Sequence, residues 1–123
     1  MTHKYRVLFL DDDPQLREVV QSELSREGYE VVTADDGNKG IELILERRFD
    51  LALLDVNLPT INGLQVLKVL KREHPETKVI MITGQSDVYN AVESRKLGAD
   101  DFIGKPYDML ELLTTIDKVR GGG

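Results

Sequence analysis

The chain has 123 residues, contains no cysteine and carries a formal net charge of −6 at pH 7. This length fits one domain with a proper core, and the lack of cysteine excludes disulfides, thiolate metal ligands and thiol nucleophiles. The negative charge argues against direct binding to nucleic acid, and no apolar run reaches the length of a membrane span. We therefore expect a cytoplasmic domain that contacts neither nucleic acid nor membrane.

Short apolar segments alternate with amphipathic segments along most of the chain. Hydrophobic runs that end in turn residues indicate buried strands, and apolar residues at helical spacing indicate helices between them. Strict alternation of the two predicts a parallel sheet with helices on both faces and right-handed crossovers. The predicted strands are 6–10, 29–34, 51–55, 79–83 and 102–104, and the predicted helices are 14–27, 39–48, 63–74, 87–97 and 108–120.

Several helix ends and helix faces can be predicted from residue types. Asp13 is expected to cap the first helix, with Pro14 in its first turn and Gly28 just beyond its end, and residues 35–38 are expected to form a turn. The fourth helix is less apolar than the others, which suits a helix that shifts at low cost, although an ordinary edge helix has the same composition. The helix side chains expected to face the core are Leu16, Val19, Val20, Leu24, Ile41, Ile44, Leu45, Leu64, Leu67, Val69, Leu70, Val88, Ala91, Val92 and Leu97.

Two of the predicted strands lead into carboxylates. The third strand ends at Asp55, and the first is followed by Asp11 and Asp12. In the strand order 2-1-3-4-5 these two strands are neighbours at the switch point of the sheet, where open α/β sheets place their ligand sites. Three crowded carboxylates repel one another unless a cation joins them, and oxygen ligands without sulfur or imidazole favour Mg²⁺ or Mn²⁺. We therefore expect a divalent-cation pocket there.

Two more polar residues end predicted strands on the same edge. Thr83 ends the fourth strand and Lys105 follows the fifth. Alone, a threonine at a strand end is usually just a good strand residue, and a lone lysine is usually a solvated surface group. Together with the acids, they put a polar group at the end of the first, third, fourth and fifth strands. An ammonium at Lys105 would be able to pair with a phosphoryl group or with Asp55.

The chain resembles the receiver domains of two-component response regulators over residues 5–120. The resemblance implies a doubly wound, flavodoxin-like (βα)5 fold with sheet order 2-1-3-4-5. Residues 1–120 would form the receiver domain, and residues 121–123 a flexible tail, a linker or a cloning remnant. Gly84 stands where alanine or serine is commoner in that family, without removing anything essential. The matching segments are Leu10-Asp11-Asp12-Asp13-Pro14, Leu54-Asp55-Val56-Asn57-Leu58-Pro59, Thr83-Gly84 and Lys105-Pro106.

The resemblance also implies roles for the acidic residues. Asp55 would be the phosphoacceptor. Asp11 and Asp12 would support Mg²⁺ together with Asp55, and Asp12 is favoured as a direct ligand. The backbone carbonyl of Asn57 would complete the protein ligands. The resemblance implies no organic cofactor.

Three further residues acquire roles from the same resemblance. The Thr83 hydroxyl would hydrogen-bond to the phosphoryl group, and Lys105 would neutralise its charge. Phe102 would be the aromatic residue that turns inward on activation, as Thr83 moves. The Lys105–Pro106 peptide bond would be cis.

The function implied by the resemblance is a phosphorylatable switch. A histidine kinase or phosphotransfer protein would supply the phosphoryl group, and the domain would regulate an output such as transcription. Such a domain is not a conventional enzyme, although it catalyses its own phosphorylation and dephosphorylation. The surface of the fourth helix, fifth strand and fifth helix would carry the signal, through a homodimer or a bound target.

Two other functions are alternatives to the switch. A hydrolase with an aspartyl-phosphate intermediate, of the haloacid dehalogenase type, needs an acid two residues after the nucleophile, where this chain has Asn57. A pseudo-receiver, acting only as an interaction module, does not need the intact set of site residues. No glycine-rich phosphate loop is present, and both His3 and His74 are expected to be solvated. In having Tyr107-Asp108 directly after Lys105-Pro106, the chain resembles receivers of nitrogen-regulation-type transcription factors.

Overall fold

Ten elements alternate along the chain in a computed structural model that describes residues 4–84 and 88–121. The predicted start of the fourth helix at residue 87, the inward position of Val88 and the end of the tail fall outside what it describes. The strands are β1 (Arg6–Leu10), β2 (Glu30–Ala34), β3 (Leu51–Asp55), β4 (Lys78–Gly84) and β5 (Asp101–Lys105). The helices are α1 (Pro14–Arg26), α2 (Gly37–Glu46), α3 (Gly63–Glu73), α4 (Val88–Lys96) and α5 (Met109–Arg120).

The five strands form one parallel sheet in the order β2-β1-β3-β4-β5. The predicted fold and strand order are therefore confirmed. The register of the central pair sets Leu10 beside Leu54. Because both strands run in the same direction, the residues that follow these two leucines, Asp11 and Asp55, emerge side by side at the carboxyl edge.

The sheet separates two hydrophobic cores. Leu8 and Leu10 of β1 face the core that α2 and α3 cover, whereas Val7 and Phe9 face the core that α1 and α5 cover. All four are fully buried, and burying a side chain of this size stabilises the fold by roughly 1.5–3 kcal/mol. The central strands are thus apolar on both faces, which leaves their ends as the place for polar groups.

Both predicted ends of α1 are confirmed. The side chain of Asp13 accepts hydrogen bonds from the backbone N–H groups of Gln15, at 3.0 Å, and Leu16, at 3.3 Å. Gly28 has a φ of 94°, a conformation that glycine adopts without the cost that a Cβ would add. Asp13 therefore serves the helix, while its neighbours Asp11 and Asp12 are left for the site.

The predicted turn at residues 35–38 is wrong, because α2 already begins at Gly37. Asp36 is its N-cap and accepts the Lys39 N–H at 2.8 Å. A Cβ on Gly37 would lie 2.1 Å from the carbonyl oxygen of Ile61. The glycine is thus used for close packing against the loop after β3 rather than for a turn, and only the tertiary structure reveals that contact.

Three residues predicted to face the core are exposed instead. Val19 is 49%, Leu45 59% and Val92 49% exposed. Val19 and Leu45 each precede or follow a buried residue, Val20 or Ile44, and lie about 100° around the helix from it, since successive residues of an α-helix are separated by that angle. The inward stripes are therefore narrower than the apolar composition suggests.

His74 was predicted to be solvated, and this is also wrong. Its side chain is only 15% exposed, and its Nε2 lies 3.0 Å from the carbonyl oxygen of Ile44 in α2. The reason is the packing of α2 on α3, which brings the C-terminal end of α3 against the adjoining helix. The histidine connects two helices on the side of the sheet opposite to α1 and α5.

Candidate functional site

Three carboxylates meet at the carboxyl edge of β1 and β3, as predicted. Ligand oxygens of Asp11, Asp12 and Asp55 all lie within 4.8 Å of one another. Asp11 and Asp55 are buried, at 0% and 3% exposure, whereas Asp12 is exposed. Two acids held away from water and one open to it form a pocket that a cation from solvent can enter.

Lys105 joins the two buried acids. Its Nζ lies 2.7 Å from Oδ2 of Asp55 and 2.9 Å from Oδ2 of Asp11. The lysine reaches them from β5, across β4, where its partner in the sheet is Gly84. One ammonium against three carboxylates leaves two negative charges among these four groups, so the cluster still favours a cation.

The second oxygen of each buried acid accepts a backbone N–H. Asp55 Oδ1 accepts from Asn57 and Asp11 Oδ1 accepts from Asp13, both at 2.9 Å. In both cases an aspartate bonds to the backbone two residues on, a local turn that fixes the carboxylate plane. Arg17 adds support by donating to the backbone carbonyl of Asp11 at 2.8 Å. The carboxylates are therefore oriented before any ligand arrives.

The pKa values of Asp55 and Lys105 are shifted by burial and by their hydrogen bonds. Burial raises the pKa of the Asp55 carboxyl, and the hydrogen bonds from Lys105 and from the Asn57 N–H only partly offset this. Burial disfavours the charged form of Lys105, but the hydrogen bonds to Asp55 and Asp11 outweigh it, and the pKa of the ammonium is raised. Lys105 is thus held as a cation, and Asp55 is a carboxylate whose charge the protein alone does not fully compensate.

The loop after β3 is held closely over the site. The Val56 N–H donates to Ile82 of β4 and the Gly63 N–H donates to Val56, both at 2.9 Å. A Cβ on Gly63 would lie 2.2 Å from the Asp55 carbonyl oxygen, so only glycine allows this approach. Within the loop Asn57 is exposed, next to the acid cluster in the chain.

Thr83 and Phe102 lie on the opposite face of the sheet from Ile82 and Ile103. Thr83 is buried, at 4% exposure, whereas Phe102 is 37% exposed. In the sheet register Thr83 pairs with Gly104, the residue that follows Phe102. Because Gly104 has no side chain, no side chain from β5 stands between the hydroxyl-bearing residue and the aromatic ring on that face.

The remaining predicted feature, a cis Lys105–Pro106 bond, is present. Arg17, which supports Asp11, was not predicted, and Tyr107 was not predicted to lie at the site. Tyr107 borders a cavity of about 340 Å³ together with Asp13, Leu16 and Lys105. Burial, and next the charge of Asp11, raise the pKa of its hydroxyl to about 12. A tyrosine after a Lys-Pro pair was the only available signal.

Comparison with known proteins defines the class. A family model described as the response regulator receiver domain matches residues 7–117, and the chain belongs to this family. It is therefore a receiver domain of the kind used in two-component signalling, and this assignment favours the switch over the hydrolase.

In the described part of the chain, no helix combines the length and apolar character needed to cross a membrane.

Two curated relatives are longer proteins that this chain matches over part of their length. Over 111 residues the chain is 42% identical to the transcriptional regulatory protein DltR of Streptococcus agalactiae and 40% identical to the response regulator ArlR of Staphylococcus aureus. The alignments cover 90% of this chain and 50% of each relative, so the chain spans about half the length of these curated proteins.

Solved structures agree on the fold. A CheY-like receiver domain protein from Methanospirillum hungatei superimposes with a TM-score of 0.90 at 34% identity, covering 98% of this chain and all of the other. TrrA from Thermotoga maritima, solved in complex with Mg²⁺ and BeF, gives a TM-score of 0.83 at 32% identity, with coverage of 95% and 99%.

Proposed function

We propose that this domain accepts a phosphoryl group on Asp55 from a phosphohistidine of a histidine kinase or phosphotransfer protein. The observation that carries the proposal is the buried Asp55 carboxylate, oriented by the Asn57 N–H and paired with Lys105 at 2.7 Å. A nucleophile for phosphoryl transfer must be fixed in place, and the developing charge needs preorganised partners. The Asn57 N–H fixes the Asp55 carboxylate in place, and the Lys105 ammonium is a preorganised partner for the developing charge.

The donor set suits a divalent cation. Asp11, Asp12 and Asp55 offer carboxylate oxygens within 4.8 Å of one another, and the Asn57 backbone carbonyl adjoins them in the chain. Few protein ligands and an open side facing water match Mg²⁺, and Mn²⁺ accepts the same oxygens. When bound, the cation spreads the charge of the phosphoryl oxygens. The two uncompensated negative charges of the cluster attract the cation and favour its binding.

The proposed transfer uses Asp55 as the nucleophile. A carboxylate oxygen forms the new O–P bond as the P–N bond of the phosphohistidine breaks, and the electron pair of that bond stays on the imidazole nitrogen. Lys105, whose pKa is raised, remains charged and moves from pairing with Asp55 to pairing with the phosphoryl oxygens. Attack by water on the resulting acyl phosphate returns Asp55 and releases phosphate, which resets the switch.

The proposed output begins at Thr83. Its hydroxyl donates to a phosphoryl oxygen, a strong charge-assisted acceptor, and Phe102 turns toward the position that Thr83 leaves. The surface formed by α4, β5 and α5 then changes, and a second copy of the domain or a target protein binds it. The relative DltR is named a transcriptional regulatory protein, which supports transcription as the output.

A beryllofluoride titration followed by amide NMR tests the proposal. With Mg²⁺ present, the amides of Asp55, Asn57 and Thr83 should shift to a new position, and without Mg²⁺ they should not. Asp55→Asn keeps the shape of the side chain and should show no shift, whereas Glu42→Gln, which replaces an exposed carboxylate of α2 by an amide, should respond as wild type does. If the amide signals of the wild-type domain do not shift with beryllofluoride at millimolar Mg²⁺, the result would favour the pseudo-receiver instead.

A further inference from the structure

Phe102 is held by a side chain that the proposed switch does not use. The guanidinium carbon of Arg95, in the last turn of α4, lies 5.2 Å from the centre of the Phe102 ring. Arginine over an aromatic face at this distance makes a cation–π contact. The contact connects α4 to β5 at the one residue of β5 proposed to change position.

A second contact positions the guanidinium over the ring. Arg95 Nη2 lies 3.8 Å from Oδ1 of Asp101, the residue before Phe102, and the other oxygen of Asp101 lies 3.3 Å from Lys118 of α5. Asp101 therefore keeps a cationic partner even when Arg95 is removed. A change at Arg95 thus acts mainly on Phe102 and does not leave a half-buried acid unpaired.

The ring and the guanidinium also form the wall of a shallow surface groove. It has a volume of about 260 Å³ and is lined by Ala91, Val92, Arg95 and Phe102. In this position Phe102 remains 37% exposed, although an inward move toward Thr83 would bury more apolar surface, which is favourable. In the proposed switch the ring moves inward only when Thr83 leaves its position, so the contact with Arg95 is an additional interaction that favours the outward ring.

We propose that Arg95 is a positioning residue that holds Phe102 outward and so sets how readily the domain switches. The proposal rests on the proposed function, since it assumes that phosphorylation of Asp55 favours the inward ring. An inward ring must leave the guanidinium, so the contact stabilises only the outward state. By linkage, whatever stabilises the outward state weakens binding of any ligand that favours the inward one.

The expected size of the effect follows from the contact. Removing an exposed cation–π contact should raise the inward-to-outward ratio about two- to fivefold. If beryllofluoride favours the inward state, its apparent affinity should rise by up to the same factor. The unliganded variant should already place its Phe102 ring signals part of the way toward those of the beryllofluoride-bound wild type.

Arg95→Gln and Lys96→Gln form a matched pair for the test. Each removes one positive charge from the last turn of α4, and both side chains are largely exposed. Arg95→Gln should bind beryllofluoride about two- to fivefold more tightly and shift the Phe102 ring signals, whereas Lys96→Gln should match wild type. Arg95→Lys, which keeps a cation, should restore part of the wild-type behaviour. In a Phe102→Leu background, Arg95→Gln should have no further effect.

The outcomes separate the two proposals. Equal beryllofluoride affinity and equal ring signals in Arg95→Gln and wild type would overturn the role of Arg95, as would an equal gain in Lys96→Gln. A wild-type domain that does not bind beryllofluoride would instead overturn the proposed function. The ring signals of the unliganded variants then still test whether Arg95 holds Phe102, because they need no ligand.

Discussion

The ammonium of Lys105 lies 2.7 Å from the carboxylate of Asp55, although the two residues are 50 positions apart in the chain and β4 runs between their strands. The same ammonium contacts Asp11 at 2.9 Å. A side chain from the third strand away from β1 thus pairs with both acids of the central strands. The pairing explains how two buried carboxylates coexist, and it leaves the cluster in need of one more cation.

Lys105→Ala should destabilise the domain, because Asp11 and Asp55 would face each other without the ammonium. We expect a loss of roughly 1–3 kcal/mol in the free energy of unfolding at pH 7 without Mg²⁺, with part of it recovered on adding Mg²⁺. Urea unfolding with and without the metal measures this. The control is Arg48→Ala, which removes an exposed pair with Glu76 and should cost no more than about 1 kcal/mol. Equal stability of Lys105→Ala and wild type would contradict the bridge.

Asp55→Asn should raise the melting temperature at pH 7. The pKa of Asp55 is raised by burial above its ordinary value of 3.8, so the folded domain holds this proton more tightly than the unfolded chain does. The carboxyl therefore contributes stability below 3.8 and loses it as the pH rises through its higher folded value. At pH 7 the buried, ionised carboxylate of Asp55 therefore lowers the free energy of unfolding, whereas a neutral asparagine does not.

Thermal unfolding of wild type and Asp55→Asn between pH 3.8 and pH 7 checks whether the variant is the more stable at pH 7. The advantage of Asp55→Asn should shrink as the pH falls toward 3.8, and Mg²⁺ should raise the melting temperature of wild type more than that of the variant. A variant that is less stable than wild type at pH 7 would mean that Lys105 more than compensates the charge of Asp55.

Two glycines beside the site should respond in opposite ways to alanine. A Cβ on Gly63 would lie 2.2 Å from the Asp55 carbonyl oxygen, whereas a Cβ on Gly84 meets nothing within 4 Å. Gly63→Ala should lose about 1–3 kcal/mol of stability and weaken beryllofluoride uptake. Gly84→Ala should bind it normally and gain about 0.4–1 kcal/mol. Denaturant unfolding and the NMR titration measure both, and a Gly84→Ala that is as damaged as Gly63→Ala would refute the assigned geometry.

Thr83→Ala should separate phosphorylation from output. Without the hydroxyl, the phosphoryl group loses a hydrogen-bond donor but keeps Lys105, so the domain should still bind beryllofluoride with altered affinity. The amide shifts across α4 and α5 should be much smaller than in wild type, because nothing draws residue 83 inward. Thr83→Ser, which keeps the hydroxyl, serves as the control. Equally large shifts in Thr83→Ala and wild type would show that Thr83 does not transmit the signal.

Much of the fold and the acid cluster could be predicted because both depend on patterns local to each strand. The run Leu51–Asp55 is apolar until its last residue, and parallel strands bring their carboxyl ends to one edge, so Asp55 and Asp11 had to meet once the strand order was known. Lys105 followed from the same rule. The residues most directly tied to chemistry were thus the easiest to place.

What could not be predicted depends on contacts between distant segments. Gly37 was interpreted as a turn residue, but the approach of Ile61 decides its place in α2. Val92 was expected inside, yet the rotation of α4 on the sheet exposes it. The contact between Arg95 and Phe102 joins two elements whose relative angle no sequence pattern specifies. Helix faces and side-chain partners are set by packing, which the local pattern constrains only loosely.

The most direct measurement of the central claim is the site of phosphoryl labelling. The domain should be incubated with acetyl phosphate, with and without Mg²⁺, and its mass and the labelled peptide determined by mass spectrometry. We predict one phosphoryl group, gained only with Mg²⁺, on the peptide that contains Asp55, and none in Asp55→Asn. A label on another peptide, or equal labelling of Asp55→Asn, would contradict Asp55 as the acceptor.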